Sequence, residues 1–149
     1  MALHLMTRSK RMQSVQHLAH NREQAAVKKL GESQQYLDVQ QTKLQELRTY
    51  RDQYAKAFES SGGAGLDALR IQEYRVFLGR LNEAIQQQEA VIAQCSARLE
   101  QTRQQWLVMH SHSLAIDKVL ERYRRQERKQ QERNEQQELD ARARRSPDE

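Results

Sequence analysis

The chain has few of the residues that interrupt helices. Its 149 residues include one proline, Pro147, and five glycines, three of which lie in "FESSGGAGLDALR" at residues 58–70. Only 37% of the residues are hydrophobic and 5% are aromatic, with a mean hydropathy of −1.02. A compact domain of this length needs more apolar side chains to fill its core, and an all-β fold needs more turn residues. The composition therefore predicts an all-α protein whose long helices bury a narrow apolar seam.

Cysteine and long apolar runs are also scarce. The single cysteine, Cys95, excludes an intramolecular disulfide and a cysteine-based zinc cluster. The apolar run in "MALHLMTRSKRM" is too short for a signal peptide, and no segment approaches the roughly 20 apolar residues that span a bilayer. We therefore expect a soluble, cytoplasmic protein that can still associate with the periphery of a membrane complex.

The second half of the chain carries a long heptad pattern. One row steps by seven from Ile71 to Leu120, and a companion row three residues later steps from Tyr74 to Tyr123. Apolar residues fill most positions of both rows, which is typical of a left-handed coiled coil. The sequence "ERYRRQERKQQERNEQQELDARARR", residues 121–145, favours a helix but has almost no apolar face after Tyr123. We expect this basic extension, residues 124–149, to fray.

The first half repeats the pattern more weakly. Leu30, Leu37, Leu44 and Phe58 keep a seven-residue register that Arg51 interrupts, and a companion row contains Leu47 and Tyr54. Upstream, the apolar face is predicted to continue through smaller residues, namely Val15, Leu18, Ala19, Ala25 and Ala26. No proline interrupts this region, so one helix over about residues 3–59 is expected.

The glycine stretch between the two halves has three interpretations. A phosphate-binding loop would close on Lys-Ser/Thr after a strand, but here the glycines lead to Leu66-Asp67 and follow a helix. A flexible linker between domains remains open. We favour an αα-hairpin turn at residues 60–65, because glycine supplies the left-handed backbone that ends a helix.

The hairpin interpretation predicts the pairing of the two arms. Residue i should lie opposite roughly residue 125 − i, which places Leu18 beside Trp106. The predicted fold is thus a long antiparallel two-helix coiled-coil hairpin with a helical C-terminal extension. It forms one domain over residues 1–149, with helix 1 at about 3–59 and helix 2 at about 66–144.

Net positive charge is concentrated in two segments, residues 1–29 and residues 121–145. Residues 1–29 carry six Lys or Arg and one Glu, and residues 121–145 carry nine Lys or Arg and six Asp or Glu. In an antiparallel hairpin both segments lie at the same end. A basic helix can bind nucleic acid through phosphates, but the interspersed glutamates and the lack of an aromatic platform favour a solvated helix instead.

Catalytic and metal sites are not favoured by the sequence. His110 and His112 are two residues apart and point to nearly opposite sides of a helix, where they cannot converge on a metal. His17 and His20 share a face, but with no cysteine or carboxylate in matching phase we expect ordinary surface histidines. A two-helix hairpin also offers no cleft that excludes water. We expect no enzyme activity, no metal and no cofactor.

Aromatic residues gather near the predicted turn. Tyr54, Phe58 and Tyr74 belong to the seam rows, whereas Tyr50 and Phe77 are out of phase and should be at least half exposed. Two explanations fit this cluster equally well. The residues can pack around a loosened turn, or they can form a docking patch for a protein partner, where exposed aromatic residues are typical anchors.

These stretches resemble the FliJ family, a small cytoplasmic component of the bacterial flagellar type III export apparatus. The resemblance rests on the order and spacing of "MQSVQHLAHNREQAA", "LQELRTYRDQY" and "YRVFLGRLNEAIQQQ", together with Trp106 and the terminal "NEQQELDARARR". It covers nearly the whole chain. FliJ proteins in turn resemble injectisome stalk proteins of the YscO type and the coiled coil of the rotary ATPase γ subunit.

The resemblance implies a function. The chain would act as the central stalk of the hexameric export ATPase (FliI, with its regulator FliH), promote assembly of that ring, and couple it to the export gate protein FlhA at the inner face of the membrane. It would also bind empty export chaperones and so serve flagellum assembly and motility. By position, the resemblance implies gate-binding residues Tyr50, Tyr54, Phe77, Leu81 and Ala84. It implies ring-binding residues Met12, Val15, Leu18, Arg122, Arg125 and Arg128.

Three rival interpretations remain. An injectisome stalk protein would share the fold and differ mainly in its operon context. A nucleic-acid-binding hairpin would bind DNA or RNA with a steep dependence on salt. A homo-oligomeric structural coiled coil would show a mass that depends on concentration.

Overall fold

Two long helices form the structure, a computed structural model that describes residues 7–62 and 68–145. Helix α1 spans Arg8–Gly62 and helix α2 spans Ala68–Arg145. At the start of α1, the Thr7 hydroxyl oxygen accepts a hydrogen bond from the Lys10 amide at 3.3 Å. This contact satisfies one of the free N–H groups of the first turn. The all-α prediction is confirmed, and across the described ranges both elements are helices.

The first helix extends further than the sequence indicated. It continues through Ser60 and Ser61 to Gly62, where a turn was expected, and the Ser61 hydroxyl donates to the Phe58 carbonyl oxygen at 3.1 Å. This bond satisfies one carbonyl of the last turn. Gly63 and Gly65, the centre of the predicted turn, lie outside the described residues.

The described chain divides into two compact units, each built from a segment of both helices. Unit 1 combines α1 up to Val27 with α2 from Gln105 onward, and unit 2 lies within Lys28–Gln104. In each unit the two segments pack antiparallel. Unit 1 brings Ser9 to Glu127 and Glu23 to His110, and unit 2 brings Gln40 to Gln88. The prediction of a two-helix antiparallel hairpin is confirmed, whereas a single domain over 1–149 stays a prediction.

Both helices bury two heptad rows. On α2 the rows from Ile71 and Tyr74 are buried or partly buried at every position, as the sequence predicted. On α1 the buried rows step by seven from Ser9 to Phe58 and from Met12 to Tyr54. Arg51 was expected to break the register, but it keeps its place in the row with a partly buried side chain, and its Nε lies 3.5 Å from an Asp52 carboxylate oxygen.

The upstream face of α1 was predicted only in part: Ala19 is buried and Ala26 is partly buried, as expected, but the other three residues are not. Val15 and Leu18 are 44% and 50% exposed, and Ala25 is exposed as well. The buried rows instead pass through the polar residues Gln16 and Glu23, which keep the seven-residue spacing. Polar side chains enter the seam here because each one finds a partner on α2.

The predicted pairing of the arms was also wrong. Gln40 lies across from Gln88 and Ser9 across from Glu127, later in α2 than Ile85 and Ile116, the positions expected opposite them. The displacement is three residues at Gln88 and eleven at Glu127, so the continuation of α1 to Gly62 accounts for only part of it. Contact with α1 therefore reaches Glu127, four residues beyond the predicted end of the seam at Tyr123.

The rest of α2 is helical and exposed. Residues 128–145 continue the helix to Arg145, and every one of them is solvent-exposed. The helical extension is thus present. Its fraying in solution stays a prediction, resting on the absence of a packed face along this described segment.

Candidate partner-binding surfaces

An aromatic cluster connects the two helix segments of unit 2. Phe58 stacks on Tyr74 with ring centroids 3.7 Å apart, and Tyr54 lies 5.5 Å from Tyr74 and 4.4 Å from Phe77. Tyr50 meets Phe77 edge to face at 6.1 Å. Such contacts stabilise a pair of helices by more than area burial alone. The cluster therefore holds the two helix segments together and also contributes to the surface of unit 2.

The exposure of these residues decides which of them a partner can reach. Tyr50 is 50% exposed, as expected, but Phe77 is partly buried because Tyr50 and Tyr54 both cover it. Leu81, another residue that the resemblance placed at the gate contact, is 8% exposed and lies in the seam. Tyr54 and Ala84 are partly buried. Among the five, Tyr50 offers the most accessible anchor.

The seam of unit 1 is held by hydrogen bonds to carboxylates. The Ser9 amide and hydroxyl donate to the two carboxylate oxygens of Glu127 at 3.1 and 2.6 Å. Asp117 accepts from the Gln16 amide at 2.7 Å and hydrogen-bonds the His20 ring at 2.9 Å. The prediction that His20 has no carboxylate in matching phase was therefore wrong, because the partner is on the other helix.

A second histidine pairs with a carboxylate in the same unit. His110 Nδ1 lies 2.6 Å from Glu23 Oε1, and the ring of Trp106 stacks on the His110 imidazole at 5.1 Å. This stacking holds the imidazole in the orientation that meets Glu23. His112 is exposed, and no group of three potential metal ligands occurs among the described residues.

These contacts lower the pKa of three carboxyl groups. The hydrogen bond from His110 is the main cause for Glu23, and the bond from Gln16 is the main cause for Asp117, where His20 adds to it. The pKa of Glu127 is lowered chiefly by the Ser9 hydroxyl. In each case the bonds favour the ionised form over the small opposing cost of burial.

The outer surface of unit 1 combines basic and apolar side chains. Met12 is partly buried, whereas Val15 and Leu18 project from α1 as an exposed pair three residues apart. Arg122, Arg125 and Arg128 are exposed on α2, and Arg125 lies 4.0 Å from the Glu121 carboxylate. The residues that the resemblance placed at the ATPase ring therefore share one unit and are mostly accessible.

Comparison with known proteins identifies the family. The chain matches the family described as flagellar FliJ protein over residues 8–147. It belongs to the FliJ family. The resemblance in the sequence is thereby confirmed, and with it a role connected with flagellar protein export.

Two other findings accompany the family match. Neither the comparison with curated proteins nor the one with solved structures gave a significant match. Within the described residues, neither helix contains a stretch apolar enough to cross a lipid bilayer.

Proposed function

We propose that this FliJ-family chain is a non-enzymatic stalk component that joins the hexameric export ATPase to the export gate. The observation that carries the proposal is the match to the FliJ family over residues 8–147. The contrast between the surfaces of the two units supports it. Unit 1 presents exposed arginines and the exposed residues Val15 and Leu18, whereas unit 2 presents an aromatic cluster.

In this proposal unit 1 contacts the ATPase ring. A subunit that stimulates a hexamer needs contacts that are strong enough to hold it yet accessible on its outer face. The apolar pair Val15 and Leu18 supplies buried area on binding, and the arginines of α2 supply charge-assisted hydrogen bonds. The ring-binding residues are Met12, Val15, Leu18, Arg122, Arg125 and Arg128.

Unit 2 contacts the cytoplasmic part of the gate protein through its aromatic cluster. Tyr50 is the exposed anchor, and Phe77 supports it edge to face. Leu81 acts from the seam by holding the cluster in place, since it is buried. Tyr54 and Ala84 complete the gate-binding set. Recruitment of FliH and of export chaperones, and a peripheral position at the inner membrane face, belong to the same proposal.

The test separates the two surfaces with single substitutions at exposed positions. We expect Tyr50→Ala to weaken binding to the purified gate domain by about tenfold or more, because it removes an aromatic anchor, and to leave ATPase stimulation unchanged. Tyr36→Ala is the matched control, because Tyr36 is a 55% exposed tyrosine of the same unit outside the cluster. Calorimetric titration and a phosphate-release assay provide the two readouts.

The reciprocal variant completes the design. Leu18→Ser should reduce ATPase stimulation and spare gate binding, with Val27→Ser as its control, since Val27 is 48% exposed in the same unit. Equal loss of both activities in Tyr50→Ala, or an equal effect of Tyr36→Ala, would contradict the assignment of unit 2 to the gate.

A further inference from the structure

Two guanidinium groups lie near the ring of Tyr123 in unit 1. The guanidinium carbon of Arg8 lies 5.8 Å from the ring centroid, and that of Arg122 lies 5.9 Å from it. Both distances are within the range of cation–π attraction. The aromatic ring therefore restrains two arginine side chains, one from each helix segment, that would otherwise be mobile on an exposed surface.

One of these arginines, Arg8, and the Tyr123 ring border a shallow groove. Its volume is about 290 Å³, and it is lined by Arg8, Arg11, Met12, Val15 and Tyr123. Met12 and Val15 give it an apolar floor, and Val15 is 44% exposed. The groove thus combines an apolar surface with hydrogen-bond donors that carry positive charge.

The positive charge of this groove is not neutralised from within the described chain. Among residues 7–62 and 68–145, no carboxylate lies within ion-pair distance of Arg8, Arg11 or Arg122. The nearby Glu127 uses both carboxylate oxygens to accept bonds from Ser9. Glu121 is directed to Arg125. The guanidinium N–H groups at the groove therefore remain available to an external acceptor.

We propose that this groove binds an acidic, apolar segment of a protein partner. A carboxylate of the segment accepts hydrogen bonds from the guanidinium groups, and a neighbouring apolar side chain packs on Met12 and Val15. In the proposed function this segment belongs to the ATPase that contacts unit 1, so the identity of the partner rests on the proposed function. Arg8, Arg11 and Tyr123 thereby join the residues proposed to bind the ATPase, and the ATPase segment that they bind is acidic and apolar.

The shape and surroundings of the groove favour a peptide over a nucleic acid. A phosphate backbone is followed by an extended row of cations, whereas here Arg8 and Arg122 lie near one ring, Arg11 lines the same groove as Arg8, and the floor is apolar. Acidic residues, Glu121 and Glu127, occupy the adjoining turns of α2. They would repel a continuous polyanion more than a single carboxylate.

The test uses the full chain and a helical peptide of Leu-Glu-Glu-Leu repeats, with a matched peptide in which every Glu is Gln. Binding is followed by fluorescence anisotropy, which detects weak complexes. We expect the acidic peptide to bind about tenfold or more tightly than its Gln counterpart, and Arg11→Glu to weaken acidic-peptide binding by a similar factor. Arg22→Glu makes the same change of charge on an exposed residue of the same unit and should have a much smaller effect.

Each outcome decides the inference. Equal binding of the two peptides, equal effects of Arg11→Glu and Arg22→Glu, or stronger competition by polyadenylate RNA than by the acidic peptide would overturn it. Circular dichroism melting of both variants identifies any loss of fold, and Arg11→Gln repeats the test without adding a negative charge. The peptide assay contains no ATPase, so it tests the inference separately from the proposed function. If the peptide binds through Arg11 but the chain does not bind the ATPase, only the proposed function is contradicted. If the Arg11→Glu chain stimulates the ATPase as well as the unchanged chain does, and the acidic and Gln peptides bind equally, only the inference is contradicted.

Discussion

The two units bury the same heptad rows but fill them differently. In unit 2 the seam contains leucine, isoleucine and stacked aromatic rings, and Gln40 and Gln88 form a polar contact between its two helix segments. In unit 1 the helix segments meet through Ser9–Glu127, Gln16 and His20 to Asp117, and Glu23–His110. Large apolar side chains are few there, and Leu120, at 1% exposed, is the most deeply buried.

This difference separates two roles that seam residues perform. Apolar side chains supply most of the stabilisation, whereas polar pairs fix which residues lie opposite each other. Unit 2 should therefore be the more stable unit on its own contacts. Unit 1 should be sensitive to pH and to the loss of its few apolar contacts, which suits a surface that adapts to a partner.

The largest effect is expected from Leu120→Ala in unit 1. Truncating a buried leucine costs about 2–4 kcal/mol through lost burial and the cavity left behind. Unit 1 has few other large buried apolar side chains to compensate. Thermal unfolding by circular dichroism and amide exchange should show reduced protection across residues 8–27 and 105–127.

A leucine outside the seam is the control for this prediction. Leu139 is 57% exposed on the same helix, so Leu139→Ala should leave stability nearly unchanged. If Leu120→Ala were equally harmless, polar contacts alone would hold unit 1, and the distinction drawn between apolar and polar seam residues would be wrong.

A smaller effect is expected on acidification. The pKa values of Glu23, Asp117 and Glu127 are lower in the folded chain than in the unfolded chain. At a pH between the folded-state pKa and the ordinary pKa, the unfolded chain therefore binds more protons than the folded chain. Their contribution to stability is present above the ordinary values, near pH 4.5 for glutamate and 3.8 for aspartate, and is lost as the pH falls through the folded-state pKa. Partial exposure keeps the effect modest and sensitive to salt.

Amide exchange from pH 6 downward provides the measurement, since peptides from each unit are followed separately. Below about pH 4.5 unit 1 should lose more opening free energy than unit 2. In Glu23→Gln this extra loss should shrink. An identical acid response of the two units would contradict the assignment of the carboxylate contacts to stability.

The smallest effect is expected for the polar pair of unit 2. Gln88 Nε2 donates to the Gln40 backbone carbonyl oxygen at 2.9 Å and to its side-chain oxygen at 2.8 Å. Replacing both residues with leucine removes the donor and the side-chain acceptor together and leaves the backbone carbonyl within α1, so stability should change little or rise by about 1 kcal/mol. Analytical ultracentrifugation should then show more self-association than in the native chain, because a polar seam pair restricts alternative pairings. A strictly monomeric double variant would show that Gln40 and Gln88 do not specify the pairing.

The second helix was predictable because its seam is apolar for most of its length. Both rows from Ile71 and Tyr74 are buried or partly buried at the positions that the seven-residue step predicted. The upstream part of α1 was not predictable from apolar residues, since Val15 and Leu18 are exposed while Gln16 and Glu23 occupy the seam. Extending the row from Leu30 by sevens, through Glu23 and Gln16 to Ser9, would have located it.

The residue pairs that meet between the helices could not be predicted from the sequence. A shift of a few residues in the turn changes every pair, and glycine and serine do not fix where a helix ends. The pairs His20–Asp117 and Glu23–His110, and the Arg8–Tyr123–Arg122 arrangement, depend on that register. The aromatic cluster was easier to predict, because it lies close to the turn on both arms.

Amide exchange of the full chain, alone and with each partner, tests the central claim most directly. With the export ATPase, added protection should appear in unit 1, within residues 8–27 and 105–128. With the cytoplasmic domain of the gate protein, it should appear in unit 2, around Tyr50–Phe58 and Tyr74–Ala84. Protection of the same unit by both partners, or of unit 2 by the ATPase, would contradict the account.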